Sequence, residues 1–429
     1  VILFLKQLKE NRIVKNLFAL GFFQLTNYIL PVLFVPYLVR VIGVERFGVV
    51  SFSQAIMLFL AVITDYGFNL TSTREVSLSR SDNQRLSAIY SVTLVAKMLL
   101  CVLTFIALVV AVLLIPKLRE HMILHLLGFF MVIGQVLFPV WLFQGMEKMK
   151  FITYLNFIAK TITLVCVLLF VKTEADYILV LPGYAIGTIL ASLVAFVIIK
   201  RNFGISFVLP AMHRVWESLH SGVLIFLSNL SLTLYNSTII IILGAFTNDT
   251  VVGYYSIADK IMQVPRQVLG VFSQAIYPHV CQLSASGWSA MKRLWNKVMP
   301  LMLAGVFVFC AALVTFAEFL VVLVAGEPLK EVILLVKLLA FVPFVVAFNI
   351  SSYLSLLAFD QKLRILRVML FASVMNILLN IILSYYFEAV GSAVALLITE
   401  VIIASGLYAT LKQYTTTIQT PQHHGDVQG

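Results

Sequence analysis

Residues 86–114 read LSAIYSVTLVAKMLLCVLTFIALVVAVLL, from Leu86 to Leu114. About 20 predominantly apolar residues suffice for a helix to cross the hydrocarbon core. This run is longer and holds neither Gly nor Pro. A membrane barrel strand would alternate apolar and polar residues, and this run does not. In lipid a continuous apolar segment must satisfy its own backbone, so it is a helix. Its one charged residue, Lys97, lies mid-run.

The same pattern recurs in both directions. Twelve runs qualify, at roughly 17–39, 47–66, 86–114, 122–144, 151–171, 177–199, 219–244, 251–279, 298–324, 332–359, 365–386 and 389–411. Hydrophobic residues make up 61% of the 429 and charged residues only 11%, against about 25% charged in a soluble domain. Mean hydropathy is +1.02. The expected class is an all-α polytopic membrane protein with twelve transmembrane helices.

The net charge of +11 invites a nucleic-acid reading, but the basic residues sit in short connectors, as in loops facing an anionic leaflet. With the N-terminus inside, nineteen of the 30 lysines and arginines fall on the inner side and seven on the outer. Both termini are therefore expected in the cytoplasm. The first run follows Lys6, Lys9, Arg12 and Lys15 without a small-residue cleavage site, so it reads as a retained span. Cys101, Cys166, Cys281 and Cys310 are far apart and have no metal-ligand spacing.

Three segments repeat in order. Gly48-Val49-Val50-Ser51-Phe52-Ser53-Gln54 opens the second run, and Gly253-Tyr254-Tyr255-Ser256-Ile257-Ala258-Asp259 opens the eighth. Lys148-Met149-Lys150 is matched by Lys362-Leu363-Arg364, and Gly183-Tyr184-Ala185 by Gly391-Ser392-Ala393. Two six-span halves follow, related as parallel repeats. The expected organisation is a basic N-terminus at 1–16, an N-terminal lobe at 17–200, a cytoplasmic linker at 201–218, a C-terminal lobe at 219–411 and a disordered tail at 412–429.

Ionisable groups inside spans are costly and mostly face protein or water. Lys97 shares its helix side with Tyr90, Thr93 and Thr104, and Lys160 lies mid-run with Asn156 and Thr163 at helical spacing. The eighth run carries Asp259, Lys260 and Arg266 around Pro265. Asp259 and Arg266 are nearly in register, so a neutralised structural pair is the alternative to cavity lining there. Glu318 and Glu400 are lone acids, each a candidate for a coupling ion or for a carboxyl capped by a neighbour. Stripes at Gln24/Asn27/Tyr28, Asn229/Thr233/Asn236 and Ser373/Asn376/Asn380 serve either as helix–helix glue or as sugar contacts. Asn156, Asn229, Asn236, Asn376 and Asn380 are the sugar-contact candidates.

The polar stretch Asp65-Tyr66-Gly67-Phe68-Asn69-Leu70-Thr71-Ser72-Thr73-Arg74-Glu75 closes the second run at its inner end. Gln54 lies three turns from Asp65 on the same face. Gln54, Asp65 and Arg74 are the expected cytoplasmic gate, and Asp65 and Asp259 are further coupling candidates. Lys97, Lys160, Lys260 and Arg266 are the expected cationic lining for an anionic cargo. His121 and His125 stand four apart without the Glu of HExxH, and no Walker A, GxSxG or GxGxxG occurs. The chemistry expected is transport without a cofactor.

A family resemblance enters on specific segments. Gln24-Leu25-Thr26-Asn27-Tyr28-Ile29-Leu30-Pro31, Pro36-Tyr37-Leu38-Val39-Arg40-Val41-Ile42-Gly43 and Phe47-Gly48 resemble the opening of Wzx-type O-antigen flippases. So do Asp65–Thr71 with Thr73, Pro139–Lys150, Ile242-Leu243-Gly244 and Gln274-Ala275-Ile276-Tyr277-Pro278. These flippases form the polysaccharide-transporter branch of the multidrug/oligosaccharidyl-lipid/polysaccharide exporter superfamily. The resemblance implies two six-helix lobes around a central cavity. It implies an undecaprenyl-diphosphate-linked oligosaccharide as cargo, moved across the inner membrane from the cytoplasmic to the periplasmic leaflet; H+ or Na+ coupling is expected from the in-span acids. An O-antigen polymerase and a chain-length regulator become candidate partners. The chain has few mid-span arginines, on which related lipid flippases often rely, so its lysines and Arg266 would have to serve. Alternatives are export of a capsule or exopolysaccharide unit, a drug or cation antiporter, which would want an acidic cavity, and a polymerase or ligase, which would want a large outer loop.

Overall fold

The computed structural model describes residues 12–419, with side chains from Phe34 to Thr416 except Leu224, Ser228, Asn229 and 231–237. The expected N-terminal basic segment falls largely outside the described residues, as do the side chains of Gln24, Asn27, Tyr28, Asn229, Thr233 and Asn236. Helices account for nearly all that is described, with no strand among the described residues. Eight described stretches are long and apolar enough to cross a membrane.

By contact density the chain falls into two units, one reaching to Ser256 with Leu323–Gly326 added, the other taking Ile257–Val322 and the chain from Glu327. In the first, α1 spans Arg12–Asp65 and breaks at Gly43, whose φ of 76° a side chain would resist. Gly67, at φ 82°, starts α2 (Phe68–Leu78), so the polar stretch after Asp65 folds as a helix rather than a loop. After it come α3 (Asn83–Leu114), capped by Asp82, which accepts from the Arg85 amide at 2.9 Å, and α4 (Pro116–Glu120).

The expected single run 122–144 is divided into α5 (Met122–Gly128), α6 (Phe130–Leu137) and α7 (Val140–Gly145). Phe138 is extended, and Pro139 lacks the N–H that would continue the ladder. α8 (Met149–Phe170), a 3-10 turn (Glu174–Leu179), α9 (Val180–Phe203), α10 (Met212–Phe246) and the start of α11 (Asp249–Ser284) complete the unit.

The second unit holds the rest of α11, then α12 (Trp288–Thr315), most of α13 (Ala317–Ala325), α14 (Lys330–Leu339), α15 (Val342–Ala358) and α16 (Lys362–Gln419). The expected run 332–359 is thus two helices meeting at Ala340-Phe341. α16 reverses at Glu388, φ 50°, where Ser384 and Ser392 hydroxyls meet at 2.8 Å. The disorder expected from Lys412 is corrected for 412–419, which remain helical. Thr415 and Thr416 hydroxyls bond the Lys412 carbonyl, and Tyr414 packs on Phe359 beneath the Arg364 guanidinium.

α3 shows why these helices belong in lipid. Its buried face carries Tyr90, Ser91, Thr93, Lys97 and Thr104, while Leu103, Ile106 and Leu114 are exposed. Water would demand the reverse. Lipid does not drive helices together by apolar burial, so packing and polar contacts do it. Around Trp141, Leu142 and Phe143 the first unit packs Tyr90, Leu155, Ala191 and Ala195. In the second, Trp295 packs near Ile350 and Leu354 and donates to the Ser355 hydroxyl at 2.9 Å.

Candidate functional site

In the first unit, α1 ends at Asp65 just where α3 presents Lys97. The Lys97 ammonium donates to the Asp65 carboxylate at 3.1 Å. Lys97 is 3% exposed, and Asp65 is partly exposed. The sequence expectation kept the two apart, Asp65 as gate and Lys97 as mid-membrane lining; the structure brings them together. Beside the pair, Ser72 and Thr93 hydroxyls meet at 2.9 Å, and Tyr66 stacks on Phe226 with centroids 4.5 Å apart. The pair therefore sits among hydroxyls and an aromatic stack, and its charges cancel while it is closed.

The other candidates of this unit lie around it. Gln54 hydrogen-bonds the Tyr184 hydroxyl. Lys160 and Asn156, one turn apart on α8, are both half-buried. Arg74 is exposed on α2. On the next connector, Arg80 bridges Glu147 at 2.8 Å and donates to the Gly145 carbonyl at 2.7 Å.

The second unit is built differently. Arg266 pairs with Asp259 and also donates to the Met262 and Asp259 carbonyls, both at 3.2 Å. All these groups are on α11, so the pair was legible as the structural alternative. Lys260 is half-buried beside it. Asp259, Met262 and Arg266 line a small cleft with Leu339, Pro343 and Leu396.

Deeper in this unit runs a ladder of amides. The Asn349 amide donates to the Glu400 carboxylate at 3.2 Å, and that of Asn376 to the Thr399 hydroxyl at 3.0 Å. The Asn380 amide donates to the Asn376 side-chain oxygen at 3.2 Å. Asn376 and Asn380 are fully buried and Glu400 nearly so, so these asparagines tie the first arm of α16 to the arm that carries Glu400. Glu318 is exposed on α13.

Asn349 is a partner that sequence reasoning missed; it sits in an apolar run with no repeat to mark it. A cluster at Lys117, His121 and Asp249 was missed as well, although the His121/His125 spacing signalled it.

Residues 13–284 match the family model described as polysaccharide biosynthesis protein. An Escherichia coli K12 protein provisionally named an O-antigen transporter is 28% identical over 403 residues, covering 91% of this chain and 94% of that protein. Among solved structures, an inward-facing multidrug-resistance MATE transporter of the MOP superfamily aligns with a TM-score of 0.73 at 14% identity, over 93% of this chain and 96% of its own. The lipid II flippase MurJ, inward closed, aligns with a TM-score of 0.71 at 14% identity, over 92% of this chain and 87% of its own. At such identities the likeness is one of fold. The family match covers more than half of the chain, and the protein belongs to the polysaccharide biosynthesis protein family.

Proposed function

We propose that the protein is a flippase that carries undecaprenyl-diphosphate-linked O-antigen units from the cytoplasmic to the periplasmic leaflet by alternating access of two six-helix lobes. The relative named for O-antigen transport supports the cargo class. The breaks at Gly43 and Glu388 and the lengths of α10 and α11 support the count of twelve spans. The basic connectors support cytoplasmic termini in the inner membrane.

One observation carries the reading: a lysine 3% exposed, inside an apolar span, answered by one carboxylate. A buried pair is a poor source of stability, since desolvation offsets most of the attraction. Its use lies in exchange. A diphosphate entering from the inner face takes over Lys97 and releases Asp65 to water or a cation. Lys160 adds a second positive charge, and Arg74 draws the headgroup in. In the second unit Glu400, held by Asn349, is the coupling site for H+ or Na+, and Asp259 stays neutralised by Arg266. Sugar hydroxyls meet Asn156.

Surface O-antigen in a strain lacking its own flippase tests this. Lys97→Ala with Lys160→Ala should abolish it, including when expression is raised until the folded protein matches the amount of the unaltered chain. Normal O-antigen would remove the cationic site.

A further inference from the structure

Asp249, the first residue of α11, reaches a place the transport proposal does not use. Its two carboxylate oxygens are divided between two partners. Oδ1 lies 2.7 Å from the Lys117 ammonium on α4, and Oδ2 lies 3.5 Å from His121 Nε2. The Asp249 and His121 side chains are about one-tenth exposed. Behind them the contacts are fixed. His121 Nδ1 shares a 3.3 Å hydrogen bond with the Tyr177 hydroxyl, and the Arg46 guanidinium lies over the Tyr177 ring while pairing with Glu174. One turn on, fully buried His125 bonds Ser53 through Nδ1 at 2.9 Å, and Glu120 stands beside His121 at the surface.

A second observation, independent of charge, grips the same segment. A Cβ added to Gly48 would lie 1.9 Å from the Asp249 carbonyl oxygen. A Cβ added to Gly253 would lie 2.2 Å from the Val44 carbonyl oxygen. The two backbones touch reciprocally. Gly48 and Gly253 are also the first residues of the repeated segments in the second and eighth spans. Equivalent glycines of the two halves therefore face each other, which is the contact expected on a pseudo-two-fold axis. The chain from Asp249 to Ser256 consequently clusters with the first-half helices, although α11 continues past Ile257 into the other unit.

We propose that Lys117, His121 and Asp249 form a charge latch over the Gly48–Gly253 crossing, closing the outer end of the transport path until α11 swings its first two turns away. The outer placement rests on the orientation proposed above; the latch itself rests on the contacts. Lys117 and His121 hold the carboxylate, and the glycines set how closely the helices seal. The latch contributes nothing to cargo affinity. It sets how often the outer end opens.

Cysteine accessibility tests it on the full chain in membranes. The four native cysteines are replaced by serine, Thr250→Cys is introduced, and a membrane-impermeant maleimide is applied to spheroplasts and to inverted vesicles. Asp249→Asn should speed labelling about tenfold or more in spheroplasts, the worth of one charge-assisted hydrogen bond. Lys117→Asp should do the same. Combining Lys117→Asp with Asp249→Lys should return the slow rate, which a merely misfolded protein would not do. Unchanged labelling in Asp249→Asn, or a charge exchange as fast as the single variants, overturns the latch. A rise confined to inverted vesicles overturns its outer placement and the orientation with it.

Discussion

The two units handle buried polarity in opposite ways. The first uses full charges on different helices: Lys97 on α3 answers Asp65 at the end of α1, 32 residues away in sequence. The second keeps its ion pair on one helix, Asp259 with Arg266. Between α15 and the two arms of α16 it relies on amides and hydroxyls, with Glu400 as the one acid of the ladder. A cross-helix charge pair is an either-or contact, because removing one partner leaves a bare charge in lipid. An amide ladder degrades by steps, each rung worth roughly 0.6–2 kcal/mol in a membrane. The first unit is thus suited to switching and the second to keeping its shape.

That contrast is breakable at several points. The largest effect is expected at the first pair. Lys97→Ala or Asp65→Ala alone should cost about 3 kcal/mol and lower the folded fraction in membranes, measured by detergent-extracted protein and thermal unfolding. Asp65→Ala with Lys97→Ala should recover most of the stability and none of the transport. A double variant as unstable as either single would show that the two groups do not form a unit.

Next comes Gly48→Leu, whose side chain must pass through the Asp249 carbonyl. It should speed labelling at Thr250→Cys more than Asp249→Asn does. Slower or unchanged labelling would mean that the glycine crossing does not seal that end.

A moderate effect is expected in the second unit. Glu400→Gln keeps the shape and the Asn349 contact while removing the charge. Folding should change by less than about 1 kcal/mol, and the dependence of transport on the coupling ion should disappear. Asn376→Ala should give a smaller loss of stability, about 1 kcal/mol, with coupling retained.

The smallest effect concerns acid. Asp249 lies two residues before the eighth span. Burial by itself would raise its carboxyl, but the adjacent His121 ring and Lys117 ammonium, with the Lys117 charge, outweigh burial and lower it below 3.8. A depressed carboxyl contributes its full stabilisation above the unfolded value and loses it as pH falls through the lower folded value. Labelling at Thr250→Cys, taken relative to a freely exposed cysteine at the same pH because the thiolate fraction itself falls with acid, should therefore stay flat as pH falls to 3.8 and rise only below it. A rise between pH 6 and 5 would show that Asp249 is not held as described.

Much of the membrane architecture was legible because lipid imposes a length rule, and Leu86–Leu114 obeys it without interruption. The in-span charges were legible for the same reason, since Lys97 and Glu400 stand out against apolar neighbours. Their partners were not. Nothing local says that Lys97 meets Asp65, whose place at a span end read as an interfacial gate. Nor does anything local say that Asn349 meets Glu400 51 residues later, because pairing depends on how helices rotate against one another. The fragments of 122–145 escaped as well: hydropathy does not register that Pro139 withholds an N–H. Nothing local marks Asp249 either, although the repeat sets Gly48 and Gly253 as equivalent.

The most direct test of the flippase reading is the leaflet in which lipid-linked O-units reside. In a strain deleted for its own flippase and carrying this protein, the oligosaccharide should become accessible at the periplasmic face. Asp65→Ala with Lys97→Ala, folded and present at normal level, should leave it inside. If the unaltered protein is abundant in the membrane while the units stay in the cytoplasmic leaflet, or if the double variant moves them as well as the unaltered protein does, the account is contradicted.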